Sequence, residues 1–125
     1  MNFLKAVAAL FVRVPRRRPR DATGALRSGR AILVDVRERG EWRNGVAEGA
    51  VPLPLSDLMG KRDAWTRFLA DVGDRELVLY CKAGGRSAIA AKILRKEGFN
   101  AADGGALREW TSAGWSLEKP GSSRR

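Results

Sequence analysis

Chemistry in this chain has few places to occur, and the first is a single sulfur atom. Cys81 lies in the stretch YCKAGGRSAIAAK and is the only cysteine among 125 residues, which include no histidine. Without imidazole there is no Ser-His-Asp triad, no Cys-His dyad and no histidine-built zinc site. One thiol likewise excludes an intrachain disulfide framework and a cysteine-rich metal or iron–sulfur centre. A chemical role for Cys81 must therefore draw on backbone amides and cationic side chains.

The residues after Cys81 provide both. The apolar run ELVLYC ends at the cysteine, and helical alanine spacing begins near Arg86 or Ser87. Lys82, Ala83, Gly84 and Gly85 lie between. None is proline, so each keeps its N–H. The glycine pair lets the chain curl through positive φ. A curled loop ahead of a helix turns its N–H groups inward as an anion nest, and the helix dipole adds about half a positive charge at that end. Lys82 and Arg86 add full charges. A free thiol titrates at about 8.5, and such surroundings lower it, which would make Cys81 a thiolate nucleophile at neutral pH. The competing structural reading is a buried small hydrophobe beside an ordinary Gly-Gly turn.

The elements that must position this loop follow from periodicity. ATGALRSGR predicts a short helix closing at Gly29, and AILVDV (31–36) a buried parallel strand. ERGEWRNG predicts a short polar helix ending at Gly45, and GAVPLPL a short strand with a proline turn. SDLMGKRDAWTRFLADVG places Leu58, Trp65, Phe68, Leu69 and Val72 on one helical face, with Ser56 as its cap. ELVLYC is a second buried strand. RSAIAAKILRKEG is a helix with Ile89, Ile93 and Leu94 inward and Gly98 past its end. FNAAD is a strand, GGALREWTSAG a last helix and WSLEKPGSSRR a closing segment with a loose tail. Strands alternating with helices predict a small parallel α/β sheet covered on both faces. Ligands in such sheets bind beyond the carboxyl ends of the strands, where Cys81 falls.

The N-terminus is different. Phe3, Val7, Leu10 and Val14 recur at helical spacing with Leu4 and Phe11 beside them, predicting an amphipathic helix. The run is shorter than the roughly 20 apolar residues of a membrane span. It reads as a helix packed on the domain or a partner, as an anchor on an acidic membrane surface, or as a cleaved targeting segment. Pro15 and Pro19 then make PRRRPR a basic linker. The division expected is residues 1–20 as helix and linker, 21–118 as the domain and 119–125 as a flexible tail. A net charge of +10 favours anionic partners. Nucleic acid is the first thought from charge alone, but no zinc-finger spacing, RNA-binding aromatic motif or heptad zipper accompanies it.

Three stretches together resemble the single-domain rhodaneses, modules similar to thiosulfate sulfurtransferase. LVDVRERGEWRNGVAEGAVPLPL is similar to that family's first signature, YCKAGGRSAIAAKIL to its active-site loop, and ADGGALREWTSAGW to its closing signature. The match runs in order from about Asp21 to Leu117 and leaves out the N-terminal extension. The resemblance implies a rhodanese-like fold and sulfur transfer from thiosulfate or a similar donor to a thiol or cyanide through a Cys81 persulfide. It implies that Arg86 closes the loop, that the amides from Lys82 through Ala83, Gly84 and Gly85 to Ser87 hold the persulfide, and that Lys82 draws in the anionic donor. It places Asp35 at the strand end near the loop and Arg37 near the rim, both favoured as a structural ion pair or turn cap. Glu41 and Trp42 are expected as scaffold, and Trp110 and Trp115 as packing. No metal or organic cofactor is implied, and the partners are a small anionic donor and a thiol acceptor, small or carried by a protein. A cytoplasmic location is expected, with membrane contact through residues 1–20 as an option. One departure is Val46, which follows Gly45 where the family often carries histidine.

Two rivals remain open. Phosphatases and arsenate reductases use a similar loop, with cysteine and arginine one residue further apart. Rhodanese-like folds also serve as non-catalytic sulfur carriers or binding modules.

Overall fold

The structure is a computed structural model that describes residues 12–121. Most of the amphipathic helix expected from Phe3 lies outside the described residues, as do residues 122–125. Its expected last turn, Val12 to Val14, has no regular secondary structure.

The first helix among the described residues is α1 (Pro19–Ser28), whose first residue is the proline that suits a helix start and whose end is closed by Gly29 at φ +82°. Strand β1 (Ala31–Asp35) leads to a 3₁₀ helix (Arg39–Asn44), then β2 (Val46–Ala47) and β3 (Val51–Pro52). Short helices α2 (Leu55–Leu58) and α3 (Asp63–Leu69) precede β4 (Glu76–Cys81). Helix α4 (Gly85–Lys96), β5 (Ala101–Ala106), α5 (Leu107–Ser112) and β6 (Leu117–Glu118) complete it.

Four strands form one parallel sheet in the order β3-β1-β4-β5. The two-residue period of a strand sorts its side chains into two cores. Val34, Val36, Leu77, Leu79 and Cys81 meet Leu58, Trp65, Ala90, Ala91 and Leu94 from α2, α3 and α4. Leu33, Val78 and Tyr80 meet Ala22 of α1, Trp110 of α5 and Trp115 on the opposite face. Trp110 and Trp115 pack edge-to-face at 5.2 Å between centroids, the packing role expected of them. Val46 is wholly buried in this second core, where an apolar side chain suits the site.

Several local expectations change. The single helix expected across residues 56–72 is broken into α2 and α3, because Gly60 and Arg62, the latter at φ +63°, turn the chain between them. Ser56 is not a cap: its hydroxyl bonds Glu38 Oε1 at 2.5 Å, while the Asp57 carboxylate accepts the N–H groups of Asp63, Ala64 and Trp65 that open α3. Ile89 points outward at 49% exposure, since Ser87, Ala90, Ala91 and Leu94 take the inner stripe of α4, and the small side chains of Ser87, Ala90 and Ala91 let it lie close on the sheet. The closing segment returns as β6, antiparallel to β2. The basic stretch expected as a linker runs along β5: Arg17 N–H donates to Asp103 O at 2.9 Å and Asp103 N–H to Pro15 O at 2.8 Å. Two of its arginines are tied down as well, Arg16 to Glu109 and Arg17 to Glu76.

Candidate functional site

Cys81 is the last residue of β4, and the loop Lys82–Gly84 carries the chain into α4. Gly84 is the hinge. Its φ of +101° lies where a side chain is strained. This curl aims Gly84 N–H at Cys81 Sγ at 2.9 Å, and Ser87 N–H reaches the same atom at 3.4 Å. Ser87 Oγ lies 3.5 Å from the sulfur. The thiol is 1% exposed, but Lys82, Ala83 and Gly85 above it are open to solvent. The sulfur is thus shielded from bulk water yet ringed by donors, unlike a cysteine packed only against hydrocarbon.

Burial pushes the Cys81 thiol up, but the donors from Ser87, Gly84 and Ala83 outweigh it, and the thiol titrates below its ordinary value. Hydrogen bonds to the anion are what lower it. Ser87→Ala is therefore expected to move the thiol midpoint to higher pH and to slow iodoacetamide alkylation several-fold at neutral pH. A rate–pH profile that superimposes on that of the wild type would remove the hydroxyl from this account.

Ser87 is held in turn by a residue that the sequence reasoning did not single out. Its hydroxyl is 2.8 Å from Asp103 Oδ1, which also accepts Gly105 N–H at 2.9 Å. Asp103 reaches this place through a bulge. Leu79 pairs with Asp103 but Tyr80 with Gly105, so Gly104 is the extra residue. A β-carbon on Gly104 would lie 2.9 Å from Leu79 O, which is why glycine stands there. The pair Gly104–Gly105, expected to open a helix, lies within β5 beneath the cysteine loop. An acidic residue just before it was the available signal.

Arg86 is the second residue of α4, and its guanidinium turns to Glu41, with contacts of 2.5 and 2.8 Å. That arginine holds the Glu41 carboxyl down at about 2, so the pair stays ionised throughout the neutral range. Glu41, expected as scaffold, thereby ties the 3₁₀ helix to the first turn of α4. Arg86 steadies the loop through this clamp, while the hydrogen bonds on the sulfur come from elsewhere. Lys82 is exposed at the mouth.

Asp35 and Arg37 form a buried pair at the end of β1. Arg37 Nη2 donates to Asp35 Oδ2 at 2.8 Å and to Gly45 O at 2.8 Å. Tyr80 Oη donates to Asp35 Oδ2 at 2.6 Å and accepts Ala47 N–H at 2.8 Å. Neither residue bonds Cys81 among the described residues. They fasten β1, β4 and β2 together one residue from the nucleophile, as the structural ion pair weighed above.

Beside the loop runs a groove of about 480 Å³ lined by Lys82, Ala83, Leu107, Arg108, Thr111 and Leu117. It forms where β6 brings Leu117 up to α5. Among the described residues no group of His, Cys, Asp and Glu side chains is arranged to hold a metal ion, and no helix is long and apolar enough to cross a membrane.

Known proteins are similar to this chain in sequence and in fold. The human thiosulfate:glutathione sulfurtransferase is 34% identical over 95 residues, covering 68% of this chain and 83% of that protein. The solved structure of the human single-domain sulfurtransferase TSTD1 superposes with a TM-score of 0.66 at 30% identity, over 80% of this chain and 97% of that one. A Rhodopseudomonas palustris protein described as a possible tyrosine phosphatase superposes with a TM-score of 0.65 at 26% identity, over 92% of this chain and 91% of its own. The sequence profile of the rhodanese-like domain matches residues 19–113, a span that takes in the cysteine loop, most of both cores and helix α5, and the chain belongs to that family.

Proposed function

We propose that the protein is a sulfurtransferase that carries sulfane sulfur on Cys81, from thiosulfate or a similar donor to a thiol. The observation that carries this reading is the convergence of the Gly84 and Ser87 N–H groups on one sulfur, with the Ser87 hydroxyl in contact beside them. In the first half-reaction the Cys81 thiolate attacks the outer sulfur of thiosulfate. The donor's S–S bond breaks, sulfite leaves with the electron pair, and a Cys81 persulfide anion remains. In the second, an acceptor thiolate or cyanide attacks the outer sulfur and the Cys81 thiolate departs. Charge is conserved at each step, and the cycle draws on no metal or organic cofactor. The same donors that lower the thiol stabilise the persulfide anion without reorganising. Lys82 at the mouth attracts the dianionic donor. A cytoplasmic setting suits a thiol that must stay reduced between turnovers.

Intact-mass spectrometry tests this. Incubation with thiosulfate is expected to add the mass of one sulfur and release sulfite, and later cyanide or a small thiol to restore the original mass. A protein that gains no mass and yields no sulfite is not a sulfurtransferase of this kind and fits the carrier or binding-module reading instead.

Phosphoryl chemistry is the second reading, favoured by the loop and by the Rhodopseudomonas neighbour's description. Two features oppose it. Cys81 and Arg86 enclose a tighter loop than phosphatases use, and Arg86, which would have to close on a phosphoryl group, is occupied by Glu41. Turnover of p-nitrophenyl phosphate at a rate matching that of thiosulfate would reverse the preference.

A further inference from the structure

Ser87 has one hydroxyl proton and more acceptors around it than that proton can serve. Its oxygen lies 2.8 Å from Asp103 Oδ1, 3.1 Å from Gly84 O, and 3.5 Å from both Gly105 O and Cys81 Sγ. A carboxylate only accepts, and a charged acceptor binds a hydroxyl more strongly than a neutral carbonyl does. While the thiol is protonated, the shortest contact holds the proton: Ser87 donates to Asp103, and the Cys81 S–H donates to Ser87 Oγ. When Cys81 ionises, its own proton leaves to solvent, and the sulfur becomes a rival acceptor for the same hydroxyl.

Asp103 is held in this contest. Its N–H donates to Pro15 O at 2.8 Å, its carbonyl accepts Arg17 N–H at 2.9 Å, and Oδ1 also accepts Gly105 N–H at 2.9 Å. The Arg16 guanidinium lies against Gly105, where a β-carbon would collide with it. Gly105 in turn underlies the loop hinge, within 3.8 Å of where a β-carbon on Gly84 would stand. Residues 15–17, which fix Asp103 from outside, precede the span that the family profile matches. The other charged groups at this junction are bound to one another: Arg86 to Glu41, Arg37 to Asp35, and Arg16 to Glu109. Lys82 stands on the loop and Arg108 on α5, close enough to Glu109 to act on it. Among the described residues Asp103 is the charged side chain that bonds Ser87 Oγ.

We propose that Asp103 is a positioning residue for the nucleophile: by holding the Ser87 proton it limits how far that hydroxyl turns to the sulfur, and so keeps the Cys81 thiolate basic enough to attack a sulfur donor. The attack itself rests on the sulfur-transfer reading above. A thiolate that is stabilised further is also less reactive, and roughly half of each logarithmic unit of lost basicity appears in its rate. The Gly84 and Ser87 N–H groups favour the thiolate, and Asp103 opposes them at the hydroxyl.

The test compares the full chain with its Asp103→Asn variant by the pH dependence of iodoacetamide alkylation and by sulfite released in a single turnover with thiosulfate. Asparagine keeps an oxygen for Ser87 and Gly105 but removes the charge. The alkylation midpoint is expected to fall by about one pH unit. The rate at the high-pH plateau is expected to fall about threefold, with a matching fall in sulfite release above both midpoints. In a Ser87→Ala background, Asp103→Asn is expected to move the midpoint by about half as much or less, because the route through the hydroxyl is gone. Asp103→Ser, smaller and also uncharged, is expected to shift the midpoint the same way and serves where the Asn variant does not fold. A midpoint that stays put or rises overturns the inference, since a merely structural residue would loosen the ring of donors and raise it. An equal shift in both backgrounds overturns it too, by making Asp103 a bare charge and not the holder of the proton. A wild type that releases no sulfite takes down the sulfur-transfer reading, and the alkylation arms still decide the role of Asp103.

Discussion

Replacing Cys81 with serine is expected to abolish sulfur uptake from thiosulfate while the fold survives. The chain has no other thiol and no histidine, so no second nucleophile can take over the covalent step. Activity should fall to the uncatalysed background, a loss of about a thousandfold or more, by comparison with nucleophile deletions in other covalent enzymes. Serine is smaller than cysteine by less than a methyl group's worth of volume. Its hydroxyl can still accept the N–H groups of Gly84 and Ser87 that meet the sulfur now. The loop should therefore keep its shape, and the melting temperature should move by only a few degrees. Circular dichroism and intact-mass spectrometry on the same sample provide the check. A Cys81→Ser protein that still gains the mass of one sulfur would place the chemistry on another group.

The second large effect concerns stability. Arg37→Ala is expected to destabilise the domain by about 3–5 kcal/mol, the usual cost of leaving one member of a buried ion pair without its partner. Asp35 is fully buried and Arg37 is 6% exposed, so water cannot replace the lost guanidinium. The Asp35 carboxylate would keep only the Tyr80 hydroxyl and the residue-37 backbone N–H, and Gly45 O would lose its donor. For a chain of this size the loss corresponds to a drop of roughly 10 °C or more in melting temperature. Arg37→Lys, which keeps the charge but not the two-pronged geometry, should lose less. If Arg37→Ala melts within about 3 °C of the wild type, the pair is not the fastening described here. Such a variant, assayed below its melting point, should still form the persulfide, because neither Asp35 nor Arg37 touches the sulfur.

The sequence by itself determined the alternation of strands and helices, the burial of AILVDV and ELVLYC, and the position of Cys81 at a strand end before a glycine turn. These are local properties. Hydrophobic period, proline and glycine act within a few residues of chain, and a curl that needs positive φ is legible wherever glycine permits it. Tertiary structure decided which charges meet. Glu41 lies 45 residues from Arg86, and Asp103 lies 16 from Ser87. Parallel strands with helical crossovers bring such distant segments to one sheet edge, and no local pattern records the pairing. The same limit explains Ile89. Its hydrophobicity predicted burial, but the inner stripe of α4 is taken by Ser87, Ala90, Ala91 and Leu94. The groove next to the loop is likewise a product of packing, since Lys82, Arg108 and Leu117 come from three separate elements whose meeting depends on the return of the chain as β6.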